Sequence, residues 1–239
     1  MARTLEELRA ITRRYADMVG SEFRSDSDVD EAVNTAWGEL YDMLVSLYDD
    51  FFEAETDILV VSGDGTYPLE DVDGPKVGKI RGASVMLSSE EGDEQPIDPF
   101  QWSERALVTG QRARISRAVG PTFQYCVRGA KLILRPLPSG NETLRLFYIP
   151  QCPTLVAPPV DPDVLGDDEI DTLPFVVQPS WEDFIPQRAA AELLMEEESP
   201  TAALRLKLAD AVKQRIEADA APRDADAPHE AVRRRSEDD

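Results

Sequence analysis

The chain has 239 residues, of which 42% are hydrophobic, so it is long enough and apolar enough to bury a core of its own in one or two domains. Its 47 acidic residues against 25 basic ones leave a formal net charge of -22, which argues against general binding to free nucleic acid or to an acidic membrane surface. Cys126 and Cys152 are the only cysteines, too few for a disulfide framework, and are expected as free, partly buried thiols.

In chain order, the opening MARTLEELRA is amphipathic and charged. It has no apolar signal core, and no stretch approaches the ~20 apolar residues of a membrane helix. The expectation is a soluble protein made in a reducing cytoplasm. Thr4 and Glu7 have the spacing of a capping box. Leu5, Leu8, Ile11, Tyr15 and Met18 then fall on one helical face, and Gly20 is a stop signal, which predicts a helix over 4–19. Ser27 is read as the next N-cap, with Asp28, Asp30 and Glu31 at the positive end of the helix dipole. Val29, Val33, Trp37, Leu40, Tyr41, Leu44 and Tyr48 give a broad apolar stripe and a helix over 28–50.

Residues 55–155 read as a β-rich module inserted between helices. TDILVVSG (56–63) and the stretch from Val77 to Leu87 are strands, with Gly63-Asp64-Gly65 as a turn. Ser88 to Pro99 is an acidic loop, and Pro99 to Leu107 a short helix anchored by Trp102. Phe123, Tyr125 and Val127 alternate with polar neighbours, as a half-buried strand does. Gly129-Ala130 suits a type II′ hairpin turn into the run Lys131–Arg135. After Pro136, Pro138 and Gly140-Asn141, the alternation resumes at Leu144, Leu146 and Tyr148 and stops at Pro150. Together these three runs predict an antiparallel meander.

A proline- and aspartate-rich connection occupies 157–180. Pro186 is tolerable only in a first helical turn, so the late helical region is predicted over 183–219, restarting at Ser199-Pro200. Leu204, Leu208, Ala211, Val212 and Ile216 are read as its buried stripe. Beyond Ala220 the apolar content falls away, and 220–239 is predicted to be a flexible arm.

The search for chemistry yields little. His229 is the only histidine and lies in the polar tail, which argues against a histidine-based triad or metal site. Asp26, Asp28 and Asp30 begin like a calcium loop. Glu31 then stands where glycine is needed and Trp37 where a glutamate is needed, so helix capping is the better account. There is no phosphate-binding glycine loop followed by Lys-Ser/Thr. No catalytic, cofactor-binding or metal-ligating residue is assigned. The basic residues form three groups: Arg9, Arg13 and Arg14 on the first helix; Arg112, Arg114 and Arg117 before the hairpin; and Arg233, Arg234 and Arg235 in the tail. Each is either a solvated face or a docking surface for a neighbouring subunit or partner. Trp37, Tyr41, Trp102 and Trp181 are assigned to the core.

TLEELR, DSDVDEAVNTAWGELYDMLV, TYPL, DPFQWSER, YCVRGAKLILRPLP, LRLFYIPQCPTL and WEDFIPQRAAAELL follow one another over residues 4–216. In that order the chain resembles the head–tail adaptor (connector) proteins of tailed phages and related viruses. The resemblance implies a structural virion protein rather than an enzyme. It implies a ring of about twelve copies that closes through heterologous contacts beneath the portal. Such a ring extends the DNA channel, carries tail or neck proteins, and needs no cofactor and no membrane. It also implies that the arm at 220–239, with Arg233, Arg234 and Arg235, reaches the portal; Arg9, Arg13, Arg112, Arg114 and Arg117 are, on their own charge, candidates for subunit interfaces. The localisation implied is the virion neck.

The expected fold is α+β: one adaptor domain over 1–219, in which the two N-terminal helices and the C-terminal helices form a bundle, with the antiparallel β-rich module inserted between them. The acidic charge fits the wall of a channel through which DNA must slide, and it equally fits life in high salt. The alternatives are a tail terminator or completion protein at the same junction, a hydrolase working with carboxylates alone, and a host-encoded binding module.

Overall fold

The structure, a computed structural model, describes residues 3–19, 24–48, 51–69, 75–86, 94–105, 124–138, 142–157, 169–173 and 179–225. It is an α+β protein, as the sequence predicts. The chain divides into two compact units. One is helical and formed by 1–51, 155–163 and 170–239; the other is β-rich and formed by 52–154 and 164–169. The sequence reading treated the second as an insertion within one domain.

The helical unit begins with α1 (Leu5–Tyr15), closed at its N-terminus by the capping box of Thr4 with Glu7. The Glu7 amide donates to Thr4 Oγ1 at 3.3 Å, and the Thr4 amide donates to Glu7 Oε2 at 3.2 Å, so two otherwise unpaired N–H groups are satisfied. α2 (Asp26–Leu47) starts earlier than predicted. Ser25, not Ser27, is the cap, and Asp28 closes the box by accepting from the Ser25 amide at 3.0 Å. Hydrogen bonding from the Ser25 hydroxyl and amide holds the Asp28 carboxyl below the usual carboxylate range. A short helix α3 (Pro179–Glu182) leads into α4 (Phe184–Glu196), with Pro186 in the first turn, where its missing N–H costs nothing. α5 (Ala202–Ala225) runs past the predicted arm boundary at 220.

These helices share a core. Val29, Val33, Trp37, Leu40 and Leu44 of α2, Leu8 of α1, and Ile185, Ala189, Ala190 and Ala191 of α4 are all fully or almost fully buried. Tyr48 stacks on Trp181 at 5.6 Å, and Trp181 donates its indole N–H to Asp219 on α5 at 3.3 Å. Within the connection predicted over 157–180, residues 169–173 are among those described. Leu173 donates its amide to the Arg3 carbonyl, and Thr172 forms a bridge with Thr4. Leu155 is clamped by one side chain: its N–H donates to Asn34 Oδ1 at 2.8 Å, and its carbonyl accepts from Asn34 Nδ2 at 3.1 Å.

The β-rich unit contains β1 (Ala54–Val60), β2 (Thr66–Pro68), β3 (Val77–Met86), β4 (Glu94–Pro96), β5 (Gln124–Val127), β6 (Lys131–Arg135) and β7 (Glu142–Pro150). β8 (Thr154–Leu155) and β9 (Glu169–Ile170) pair separately. β5 and β6 form the expected hairpin. Gly129 has φ +59°, and among the described non-glycine residues only Asp17 and Glu198 have positive φ, so the first central residue alone is left-handed, as a type II′ turn requires.

The meander does not continue. β6 pairs with β2 in a sheet of order β2-β6-β5, whereas β7 lies between β1 and β3 in a sheet of order β1-β7-β3-β4. Alternation marks a strand but carries no information about its partner, and β7, with nine residues, is long enough to support two neighbours. Val60, Val85, Leu132, Leu134, Leu144 and Leu146, contributed by both sheets, form one core cluster. Opposite that core, Arg145 of β7 pairs with Asp57 at 2.9 Å and Glu94 at 2.8 Å, which raises its guanidinium above the ordinary value. The β3–β7 register shifts around Gly78, where an added Cβ would sit 2.9 Å from the carbonyl oxygens of Ile149 and Pro150.

Candidate functional site

Of the basic residues singled out in the sequence, Arg9, Arg13 and the exposed Arg14 lie within the described part; Arg112, Arg114, Arg117, Arg233, Arg234 and Arg235 lie outside it. Arg9 and Arg13 are engaged within the helical unit. Arg9 forks onto Asp30 through Nε and Nη2 at 2.7 and 2.6 Å and reaches Asp26 at 3.4 Å. Its bond to Asp30 raises the guanidinium above the ordinary value, against the effect of desolvation. Arg13 reaches Asp26 at 2.8 Å and the Arg24 carbonyl at 2.9 Å. These two arginines join α1 to the start of α2. The carboxylates that looked like a calcium loop are the other half of that clasp and the α2 cap. Among the described residues, no group of three His, Cys, Asp or Glu side chains could hold a metal ion.

The expected assignment of tryptophans to the core holds for Trp37 and Trp181, which are buried. Trp102, on a short 3-10 turn (Trp102–Glu104), is half-buried, with the guanidiniums of Arg105 and Arg128 at 5.1 and 4.9 Å from its ring centroid. Cys126 is buried and Cys152 half-buried, and neither is in a disulfide.

α5 departs most from its sequence reading. Among its described side chains, those it buries are Ala202, Ala209, Val212, Ile216 and Ala220. Leu204 and Leu208, expected in the core, are 57% and 40% exposed, and Ala211 is exposed as well. At ~100° per residue, Leu204, Leu208, Ala211 and Arg215 fall within ~60° of one another, on a ridge distinct from the buried stripe. The orientation is locked by Arg205. It donates through Nε to the Tyr15 carbonyl at 2.9 Å and through Nη1 to Gln187 at 3.3 Å, and its guanidinium lies 4.7 Å from the Tyr15 ring centroid. With Arg205 turned to α1 and α4, Leu204 and Leu208 must face outward.

The other flank of α5 borders a cleft of about 530 Å³ shared with α2 and α4. Met43, Leu47, Phe184 and Leu206 supply its apolar lining. Asp42, Asp210 and Glu217 stand at its exposed margin without an ion pair among the described residues. Glu39 is already matched by Arg188, at 2.7 and 2.8 Å. No helix among the described residues is long and apolar enough to cross a membrane. The helical unit therefore presents an uncovered apolar ridge and an acid-margined apolar cleft, both suited to docking another protein surface. Sequence reading missed both because leucine at helical spacing is a strong core signal and alanine a weak one. No protein-family model matches the chain, and no curated protein matches it.

Proposed function

We propose that this chain is a structural component of a virion neck: a head-to-tail adaptor that assembles as a ring beneath the portal, extends the DNA channel and offers a platform for tail components. The observation that carries the reading is the ridge of Leu204, Leu208 and Ala211 on α5. It is an apolar surface placed outward by a helix whose core face is fully used elsewhere. Isolated exposed leucines are ordinary, but three apolar residues aligned on a locked helix make a contact surface. The order of motifs over 4–216 supports the same reading. The charge of -22 suits a passage through which a polyanion must move without adhering. Arg9 and Arg13 are neutralised within the helical unit, so the docking role falls to Arg233, Arg234 and Arg235 on the C-terminal side and to Arg112, Arg114 and Arg117.

Electron microscopy of the purified protein, alone and mixed with portal-bearing capsids encoded by the same genome, tests this. The expected result is rings with a central opening, seated at one capsid vertex. Six-fold rings found only at the end of a tail tube would reassign the chain to a tail terminator. A monomer that never joins capsids would end the adaptor reading.

A further inference from the structure

We infer that α5 joins neighbouring copies of this chain head to tail, the Leu204/Leu208 ridge of one copy seating in the α2–α5 cleft of the next. The inference deepens the ring reading and rests on it. The two surfaces lie on opposite flanks of one helix. Leu204, Leu208 and Ala211 centre ~150° around the axis from Leu206, Asp210, Lys213 and Glu217, which border the cleft. A ridge and a cleft so placed cannot satisfy each other within one molecule, nor does either match itself across a two-fold axis. They suit a heterologous contact, which repeats around a ring or along a filament.

Charge selects the occupant. Five lysines serve the whole chain. Lys207 and Arg215 flank the ridge, both exposed and with no ion pair among the described residues. The cleft offers the complement: an apolar lining at Met43 and Leu47 beneath the unpaired carboxylates of Asp42, Asp210 and Glu217. Lys213 is a cleft cation with no ion pair among the described residues, and it is outnumbered by these acids. In a protein with this excess of carboxylate, most arbitrary pairings of its surface repel. A cationic, leucine-bearing ridge against an acidic, apolar cleft is a pairing that attracts, and both halves are present on every copy.

The test uses two double variants of the full chain, L204D/L208D on the ridge and D42K/D210K at the cleft. All four positions are exposed, and urea denaturation of each variant verifies its fold. Sedimentation velocity is run over rising concentration for the wild type, for each variant alone and for their equimolar mixture. The wild type is expected to associate beyond dimers, and each variant alone to associate at least tenfold more weakly. The mixture retains one intact contact per pair, so it is expected to form dimers and stop there. Adding K207E and R215E to the D42K/D210K chain exchanges the charges across the contact and is expected to restore higher oligomers. Wild-type association by a folded L204D/L208D chain, a mixture with no dimers, or a wild type that stays monomeric throughout would overturn the inference. If the ridge variant still forms rings on capsids, this contact is wrong while the adaptor reading stands. If the wild type forms none there, the adaptor reading itself fails.

Discussion

α5 carries two apolar stripes, and replacing one residue from each measures which of them holds the protomer together. Ile216 is fully buried, and Ile216→Ala removes methylene and methyl groups from a packed interior that can relax only in part. That should cost about 2–5 kcal/mol of unfolding free energy. Leu204 is 57% exposed, so less than half of the ~1.5–3 kcal/mol that a fully buried leucine contributes is at stake. Alanine is also the better helix former by a few tenths of a kcal/mol, which offsets part of the loss. Leu204→Ala should therefore cost about 0.5–1 kcal/mol, several-fold less than Ile216→Ala. Urea denaturation followed by far-UV circular dichroism, at a concentration below any self-association, reads both from the midpoint at constant slope. Equal losses, or a larger loss for Leu204→Ala, would show that α5 is rotated from the orientation in which Arg205 fixes it.

The α2 cap can be tested by comparison. Ser25→Ala should lower stability by about 1 kcal/mol, whereas Ser27→Ala should stay within ~0.5 kcal/mol, since Ser27 makes no capping bond; matching denaturation midpoints for the two variants would contradict this. Gly129→Ala should cost about 1–2 kcal/mol through the backbone alone, because φ is +59° there and an added Cβ would meet nothing within 4 Å; an unchanged thermal midpoint would argue against the II′ turn. Two carboxylates should give opposite pH dependences. Burial pushes the Glu182 carboxyl up, with Arg3 pulling the other way, so the folded chain holds that proton more tightly than the unfolded one; its contribution to stability falls as pH rises from the ordinary glutamate range through the raised folded value. The Ser25 bonds lower Asp28, so its contribution is present above the ordinary aspartate range and is lost as pH falls through the depressed value. Glu182→Gln and Asp28→Asn should each flatten the corresponding limb of a stability–pH curve, and a limb that survives its substitution would remove the assignment.

Local chemistry was the most legible part of the sequence. The Thr4–Glu7 box, the II′ turn at Gly129, the early proline in α4 and the apolar face of α2 each follow from a few adjacent residues, and each is present. The errors arose where one local signal fits two structures. Ser25 and Ser27 are both competent caps, each with an aspartate three residues on; Asp28 closes the box with Ser25, whereas Asp30 is held by Arg9. Residues 142–150 alternate as any strand does, but whether they pair with β6 or with β1 and β3 depends on residues scores of positions away. On α5 the large leucines attracted the assignment, while the helix packs through Ala202, Ala209 and Ala220, whose small side chains let another helix approach closely. The candidate surfaces were hidden for that same reason: they consist of residues that composition alone would send inside.

The clamp of Asn34 on Leu155 has a consequence for the order of events during synthesis. α1 and α2 leave the ribosome first, and the arginine clasp can join them early. Their partner α4, and Leu155 itself, emerge only after all of Phe52–Thr154 has been made. Until then the apolar face of α2 lacks the cover that α4 supplies, and non-local closure of this kind slows folding. A nascent chain stalled near residue 150 should therefore be the most aggregation-prone intermediate, since Asn34 has no backbone to clamp until Leu155 emerges.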